Sequence, residues 1–344
     1  MSKRRWMMAL VVCALTPVGV GTASAQTGRS TVPRTADGRP DLQGVWDFRT
    51  LTPLQRPADQ SGNAVLTAEE VAEIEARAAQ SVIDADRPTE VRTEPLPVGA
   101  PVGGYNNFWF DRGAGVVDDN RTSLIVSPEN GRVPMLQPGL AMVELSLGED
   151  IAGTRPVRVR AAGIGADSWE DRGLAERCLL GFNSGPPVVP AGYNQNLQIF
   201  QTSDHVVILH EMVHDARIVP LDGRPHLPGD VRQWMGDSRG HWDGDTLVVE
   251  SRNYTDKTSS FSPSVTMAAG DGTTLNLTER FTRVADDTLL YEFTVEDSTT
   301  FSAPITAQMP MKRGEPMFEY ACHEGNYGLP NILAGARKAE NASR

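Results

Sequence analysis

Apolar and polar residues alternate along much of the second half of the chain. Leu197, Ile199 and Gln201 interleave with Gln198, Phe200 and Thr202. Leu289, Tyr291, Phe293 and Val295 interleave with Leu290, Glu292, Thr294 and Glu296, and Ile305, Ala307, Met309 and Met311 repeat the pattern. A period of two puts one set on each face of a strand. Ala285-Asp286-Asp287 separates the runs 275–284 and 288–296, which is a hairpin signal, and Gly244-Asp245 leads into another strand over 246–250. Residues 122–126 and 317–322 read as further strands. Short antiparallel strands in direct succession predict a mainly β fold. The first choice is an up-and-down, lipocalin-like (calycin-like) barrel, and the second a strongly curved sheet.

Helical signals are few. Thr67 and Glu70 form a capping box for a helix running to about residue 80, with Val71, Ile74 and Ala78 as its apolar stripe. Ser168 caps a short helix through Cys178, and another follows Leu329. Prolines and glycines over 87–104 mark a linker. The expected organisation is therefore an N-terminal arm over 26–104, a β domain over 105–335 and a polar tail over 336–344.

Residues 1–25 read as a signal peptide. Lys3, Arg4 and Arg5 precede an apolar run over 6–20, and Ala23-Ser24-Ala25 suits cleavage before Gln26. This implies a periplasmic or secreted product. No later apolar run approaches the ~20 residues of a membrane span, so no stable membrane insertion is expected. Cys13 belongs to the leader. In an oxidising compartment the remaining Cys178 and Cys322 predict a disulfide, against the alternative of two buried thiols. The formal net charge is −12, which argues against a nucleic-acid partner. Nothing in the sequence fixes an oligomeric state.

Four of the six histidines, His205, His210, His214 and His226, fall within 202–227. His210-Glu211-Met212-Val213-His214 matches the H-E-x-x-H pattern. On a helix that spacing lets two imidazoles share zinc while the glutamate activates water, with His226 as a third candidate ligand. The flanking β-branched residues and Asp215 favour a strand instead, and the histidines would then stand ~13 Å apart at ~3.3 Å per residue. The leading expectation is thus a hairpin without metal or other cofactor, and zinc is the alternative. A strand would put Glu211, Asp215 and Arg217 on one face, and Met212, His214, Ala216 and Ile218 on the other, facing the pocket.

Other candidates lie apart in sequence. His323 and Glu324 sit in a polar loop ending at Tyr327. The proposed disulfide would bring that loop beside Trp169, Glu170, Asp171 and Arg172. Tyr105, Asn107 and Trp109 belong to an aromatic, amide-rich run that either fills the core or forms a ligand platform. Glu279 shares a face with Leu277 and Phe281, so it needs an arginine partner or a raised pKa.

The segments 41–46 (DLQGVW), 167–178 (DSWEDRGLAERC), 211–217 and 320–327 (YACHEGNY) resemble those of a family of secreted bacterial proteins. That resemblance implies secretion and brings no activity with it. The residues themselves point to an enzyme using histidine and carboxylates for acid–base chemistry on a small or carbohydrate-like substrate, as a hydrolase or lyase. His214, Glu211, His323, Glu324, Glu170 and Asp171 would be catalytic. Tyr105, Asn107, Trp109, Trp169, Arg172, Arg217 and Tyr327 would bind substrate. A non-catalytic barrel holding an apolar or aromatic ligand is the alternative.

Overall fold

Most strands of the main sheet pair with the strand of that sheet that precedes or follows them in the chain, and Gly44–Asp47 instead bridges Asn196–Gln201 and Ile305–Arg313. In the computed structural model the described residues are 32–85, 87, 93–94, 110–144 and 165–342, within one compact unit, Val32–Arg344. The leader expected over 1–25, and Tyr105, Asn107 and Trp109, lie outside them. The strands are β1 (Gly44–Asp47), β2 (Ile125–Ser127), β3 (Val143–Glu144), β4 (Asn196–Gln201), β5 (His205–His210), β6 (Ala216–Pro220), β7 (Asp237–Asp243), β8 (Thr246–Arg252), β9 (Phe261–Ser264), β10 (Met267–Ala269), β11 (Asn276–Ala285), β12 (Thr288–Glu296) and β13 (Ile305–Arg313). Ten form an antiparallel sheet of order β6-β5-β4-β1-β13-β12-β11-β8-β7, with β2 on the flank of β13. β3, β10 and β9 make a small separate sheet.

This order is a meander bent into a nearly closed barrel. The first strand lies against the last, since Trp46 pairs with Arg313 and Asp47 with Lys312. The β6 and β7 edges approach at the seam, where a Cβ added at Gly240 of β7 would lie 2.8 Å from Val219 Cγ1. The residues expected to form an N-terminal arm therefore contribute a barrel strand. The DLQGVW segment shows why. Asp41 Oδ1 accepts from the Gln43 amide and turns the chain. Gly44 has φ +123°, and a Cβ there would strike the Arg313 guanidinium. Trp46 is fully buried, donates Nε1 to Leu42 O at 2.8 Å, and lies under the guanidinium of Arg313, 4.3 Å from its ring centre.

The inward alternation is as expected. Leu277, Glu279, Phe281, Leu289, Tyr291, Phe293, Val295, Ile305, Met309 and Met311 are buried. A two-residue Asp286-Asp287 turn joins β11 to β12, with Ala285 opposite Thr288. The core also takes in Val188 and Val189 from the buried loop 183–189, and the Val188 amide donates to Tyr291 Oη at 3.1 Å. This loop inserts into the barrel as a plug, as befits its rigid Pro186-Pro187 sequence.

Among the inward apolar side chains sits one ion pair. Arg217 of β6 reaches across to Glu279 of β11, Nη1 to Oε2 at 2.5 Å and Nη2 to Oε1 at 3.0 Å. Tyr291 Oη donates to Glu279 Oε1 at 2.7 Å. Burial opposes the guanidinium charge, but Glu279 outweighs it and raises the Arg217 pKa. Burial and then Glu279 push the Tyr291 phenol well above its usual range, so it stays a donor.

The helix α1 (Ala68–Ala85) begins at the expected capping box, with Thr67 N donating to Glu70 Oε2 at 2.7 Å and Glu70 N to Thr67 Oγ1 at 3.2 Å. Val71, Ile74 and Ala78 form its half-buried stripe. The helix expected through Cys178 is one 3-10 turn, Trp169–Asp171, followed by irregular chain. The last expected strand is also irregular, and α2 (Gly328–Ala342) runs through what was expected as polar tail.

Removing one partner of a buried pair strands the other, at a cost of about 3–5 kcal/mol. Glu279→Ala should therefore lower unfolding free energy by that order in urea titration. Tyr291→Phe should cost about 1 kcal/mol. Near-neutral behaviour of Glu279→Ala would show that the pair is dispensable.

Candidate functional site

The H-E-x-x-H segment is neither an α-helix nor a continuous strand. β5 ends at His210, and Met212–His214 form a single 3-10 turn entering β6 at Ala216. The zinc-protease arrangement, with both histidines on one helical face, is thus not the local structure. The hairpin is present, but the continuous strand is corrected. The turn reverses the face parity, so that Val206, Ile208 and His210 point inward on β5, and Arg217 and Val219 on β6. Ile218 and Ala216, expected inside, face outward and are exposed. His214 is exposed at the turn rather than on the barrel's inner wall. Among the described residues no group of three or more His, Cys, Asp or Glu is placed to hold a metal ion. His226 is engaged elsewhere, with Nδ1 2.9 Å from Asp237 Oδ2.

The turn is strained. Val213 has φ +62° and His214 φ +46°, and a β-branched residue in the left-handed region is a genuine outlier. Such strain costs on the order of 1–3 kcal/mol and persists where surrounding packing over-determines it. Here Val213 and Met212 are buried with Cys178, and Phe182, Tyr193, Tyr320 and Cys322 pack around them. Cys178 and Cys322 are joined by the expected disulfide, with Cα atoms 5.9 Å apart. The turn, the loop through Cys178 and the C-terminal segment are thereby fixed against one another.

Several expected residues meet here. His214 Nδ1 lies 2.9 Å from Tyr320 O, so Nδ1–H donates and Nε2 is left free of a proton in the neutral ring. Glu211 is mostly buried and accepts from the Asn196 amide at 3.2 Å and from Asn196 Nδ2 at 2.9 Å. A hollow of about 200 Å³ is lined by Gln198, Leu209, His210, Glu211, His214 and the segment Met317-Phe318-Glu319. Phe318 is 86% exposed.

Asp215 was not among the expected site residues, although its place after the second histidine was the anomaly in the motif. Its carboxyl is pushed up to about 6, first by burial, against a lowering contribution from His214. Its Oδ2 is buried with no hydrogen-bond partner among the described residues.

Other expected residues are held in local structural bonds. Asp171 accepts from the Ser168 amide at 2.6 Å as part of a capping box. Arg172 forms a pair with Glu176 at 2.9 Å and donates to Gly165 O. Glu170 faces Lys257 at 3.6 Å, and Trp169 lies under Arg177. Arg217, expected to contact substrate, is instead committed to Glu279 inside the barrel. His323, Glu324 and Tyr327 are exposed, and Asn326 ties their loop to Glu176 O at 3.2 Å.

No family model and no curated protein matches the sequence. Among solved structures, a mutant of the fluorescent protein UnaG is similar over 35% of this chain and 72% of that one, at 16% identity and a TM-score of 0.22.

A carboxyl whose folded-state pKa exceeds its unfolded value binds its proton more tightly when folded. Stability should therefore fall as pH rises from about 4, the unfolded value, to about 6. Asp215→Asn should remove this component. Its melting temperature should match the wild type near pH 4 and exceed it above pH 6. Parallel wild-type and variant curves from pH 4 to 8 would contradict the raised value.

Proposed function

We propose that this protein is a secreted or periplasmic enzyme that performs acid–base chemistry on a small molecule at the β5–β6 turn. The observation that carries the reading is the left-handed Val213-His214 pair, which presents an oriented imidazole in the same hollow as the mostly buried Glu211 carboxyl. Backbone strain of this kind collects at functional sites.

The roles follow from the geometry. With Nδ1–H on the Tyr320 carbonyl, His214 offers Nε2 as a general base. Glu211 lines the same hollow and is the partner carboxyl for proton transfer. Phe318, Met317 and Leu209 give the hollow an apolar side, suited to one face of a ring. Glu319 offers an acceptor at its rim. Hydrolysis or elimination on a carbohydrate-like ring fits this set. His323 and Glu324 are then residues of the neighbouring rim. The disulfide suits an oxidising compartment, and no described helix is long and apolar enough to cross a membrane. The alternative of an apolar ligand within the barrel has less support, because Trp46, Phe281, Tyr291, Phe293 and the plug residue Val188 occupy that interior.

His214→Asn is the informative variant. Asparagine tolerates the left-handed backbone and can still donate to Tyr320 O, but cannot act as a base. Purified protein should be screened on chromogenic glycosides and esters and on uronate polymers from pH 5 to 8. Turnover should appear on one class and fall at least about 100-fold in His214→Asn, with melting temperature nearly unchanged. No turnover on any class, or full activity in the variant, would sink the reading.

A further inference from the structure

A second groove lies where β7, β8, β11 and β12 end or begin, and it shares no lining residue with the hollow at the β5–β6 turn. It consists of two hollows of about 430 and 220 Å³ that meet at Asn276 and Glu296. Those two residues are direct cross-strand partners at the ends of β11 and β12. Glu250 of β8 stands opposite Thr278 of β11, two residues further along.

The groove collects hydrogen-bonding groups that the fold leaves unused. Glu250, Arg252, Asn276 and Glu296 are exposed, and none makes a side-chain hydrogen bond or ion pair among the described residues. Elsewhere the arginines are mostly paired, as in Arg34 with Asp245, Arg224 with Asp222 and Arg280 with Asp243. His226 is different, because it is held in place. The buried Asp237 takes its Nδ1–H at 2.9 Å and binds Arg239 at 2.6 Å, which turns His226 Nε2 towards other partners. A carboxylate that fixes a ring's tautomer and orientation is a preorganising device. A merely solvated face would not need it.

We infer that this groove binds a neutral, hydroxyl-rich ligand of the oligosaccharide class through Asn276, Glu296, Glu250, Arg252 and the Asp237-held His226. The chemistry of the lining selects that class. The carboxylates of Glu250, Glu296 and Asp297 repel phosphorylated or acidic ligands, and Arg252 beside them disfavours simple cations. The smaller hollow is lined mainly by polar groups, and in the larger Phe301, Ala303 and Pro304 share the lining about equally with polar groups, a mixture that suits sugar rings better than lipid chains. Acceptors, donors and an amide that is both match vicinal hydroxyls, each of which donates and accepts. Thr278 and Ser298 add two more such groups, and the two joined hollows suit a chain of sugar rings rather than one. The inference stands independently of the acid–base site.

The test uses the full mature protein with cellotriose, maltotriose and chitotriose as probes. Calorimetry should show saturable binding of at least one of them, and hydrogen–deuterium exchange should show protection over 274–278 and 296–302. Asn276→Ala and Glu296→Gln, both at exposed positions, should each weaken Kd by about tenfold with unchanged melting temperature. His214→Asn should leave Kd unaltered, which separates this groove from the β5–β6 site. Absence of binding by all three sugars overturns the inference. So does protection confined to other segments, or a Kd that moves with His214 rather than with Asn276 and Glu296.

Discussion

The Arg217–Glu279 pair is the constraint around which the barrel is arranged. It joins β6, beside the seam, to β11 on the other side of that seam, through the interior rather than along the sheet. A buried pair of this kind contributes little net stability against apolar replacements of the same volume. Its value lies in selecting one arrangement. If β6 slipped by one residue, Arg217 would face solvent, Ile218 would face the core, and Glu279 would be buried alone. Tyr291 extends the constraint, since its hydroxyl donates to Glu279 and accepts from the Val188 amide. The plug loop is thus registered to the same carboxylate as the seam strand.

Trp46 does the corresponding work between the first and last strands. β1 is only four residues long, so backbone pairing alone holds it weakly. Its indole fills the core, anchors to Leu42 O and lies beneath Arg313 of β13. Gly44 is needed because any side chain there would displace that arginine. The DLQGVW segment is therefore a latch. It is legible as a turn and a short strand, but its place in the barrel is a long-range fact that local pattern does not contain.

The hairpins were legible because each carries its own alternation and its own turn residues. Glu279 was legible as an ion-paired core residue for the same reason, although its partner was not. The disulfide followed from compartment and cysteine count. The reading failed at residues 211–215. A tight turn made of Glu, Met, Val, His and Asp has no glycine, proline or asparagine to announce it, and the β-branched residues around it imitate a continuing strand. Five turn residues between inward His210 and outward Ala216 reverse the parity, so the faces expected for Ala216, Arg217 and Ile218 were inverted. The same hidden turn produced the zinc-motif match, because four-residue spacing implies shared ligation only on a helix. Asp215 escaped notice as a site residue because its character comes from burial, which the sequence does not display.

That hidden turn also explains why chemistry gathers at this end of the barrel. Glycine at position 213 would relieve the left-handed backbone, but would give up the isopropyl group buried against Tyr320 and the Cys178–Cys322 bridge. Burying a valine side chain returns about 1.5–3 kcal/mol, comparable with the strain. The turn thus holds a costly backbone through packing supplied by two distant segments. Neither segment can hold its place alone, since the C-terminal stretch is irregular and the loop through Cys178 has only a single helical turn. The disulfide ties these two segments together, the turn packs against both, and His214 takes its orientation from Tyr320 O within that assembly. The imidazole is therefore positioned by tertiary contacts rather than by its own strand, so its rigidity depends on the bridge.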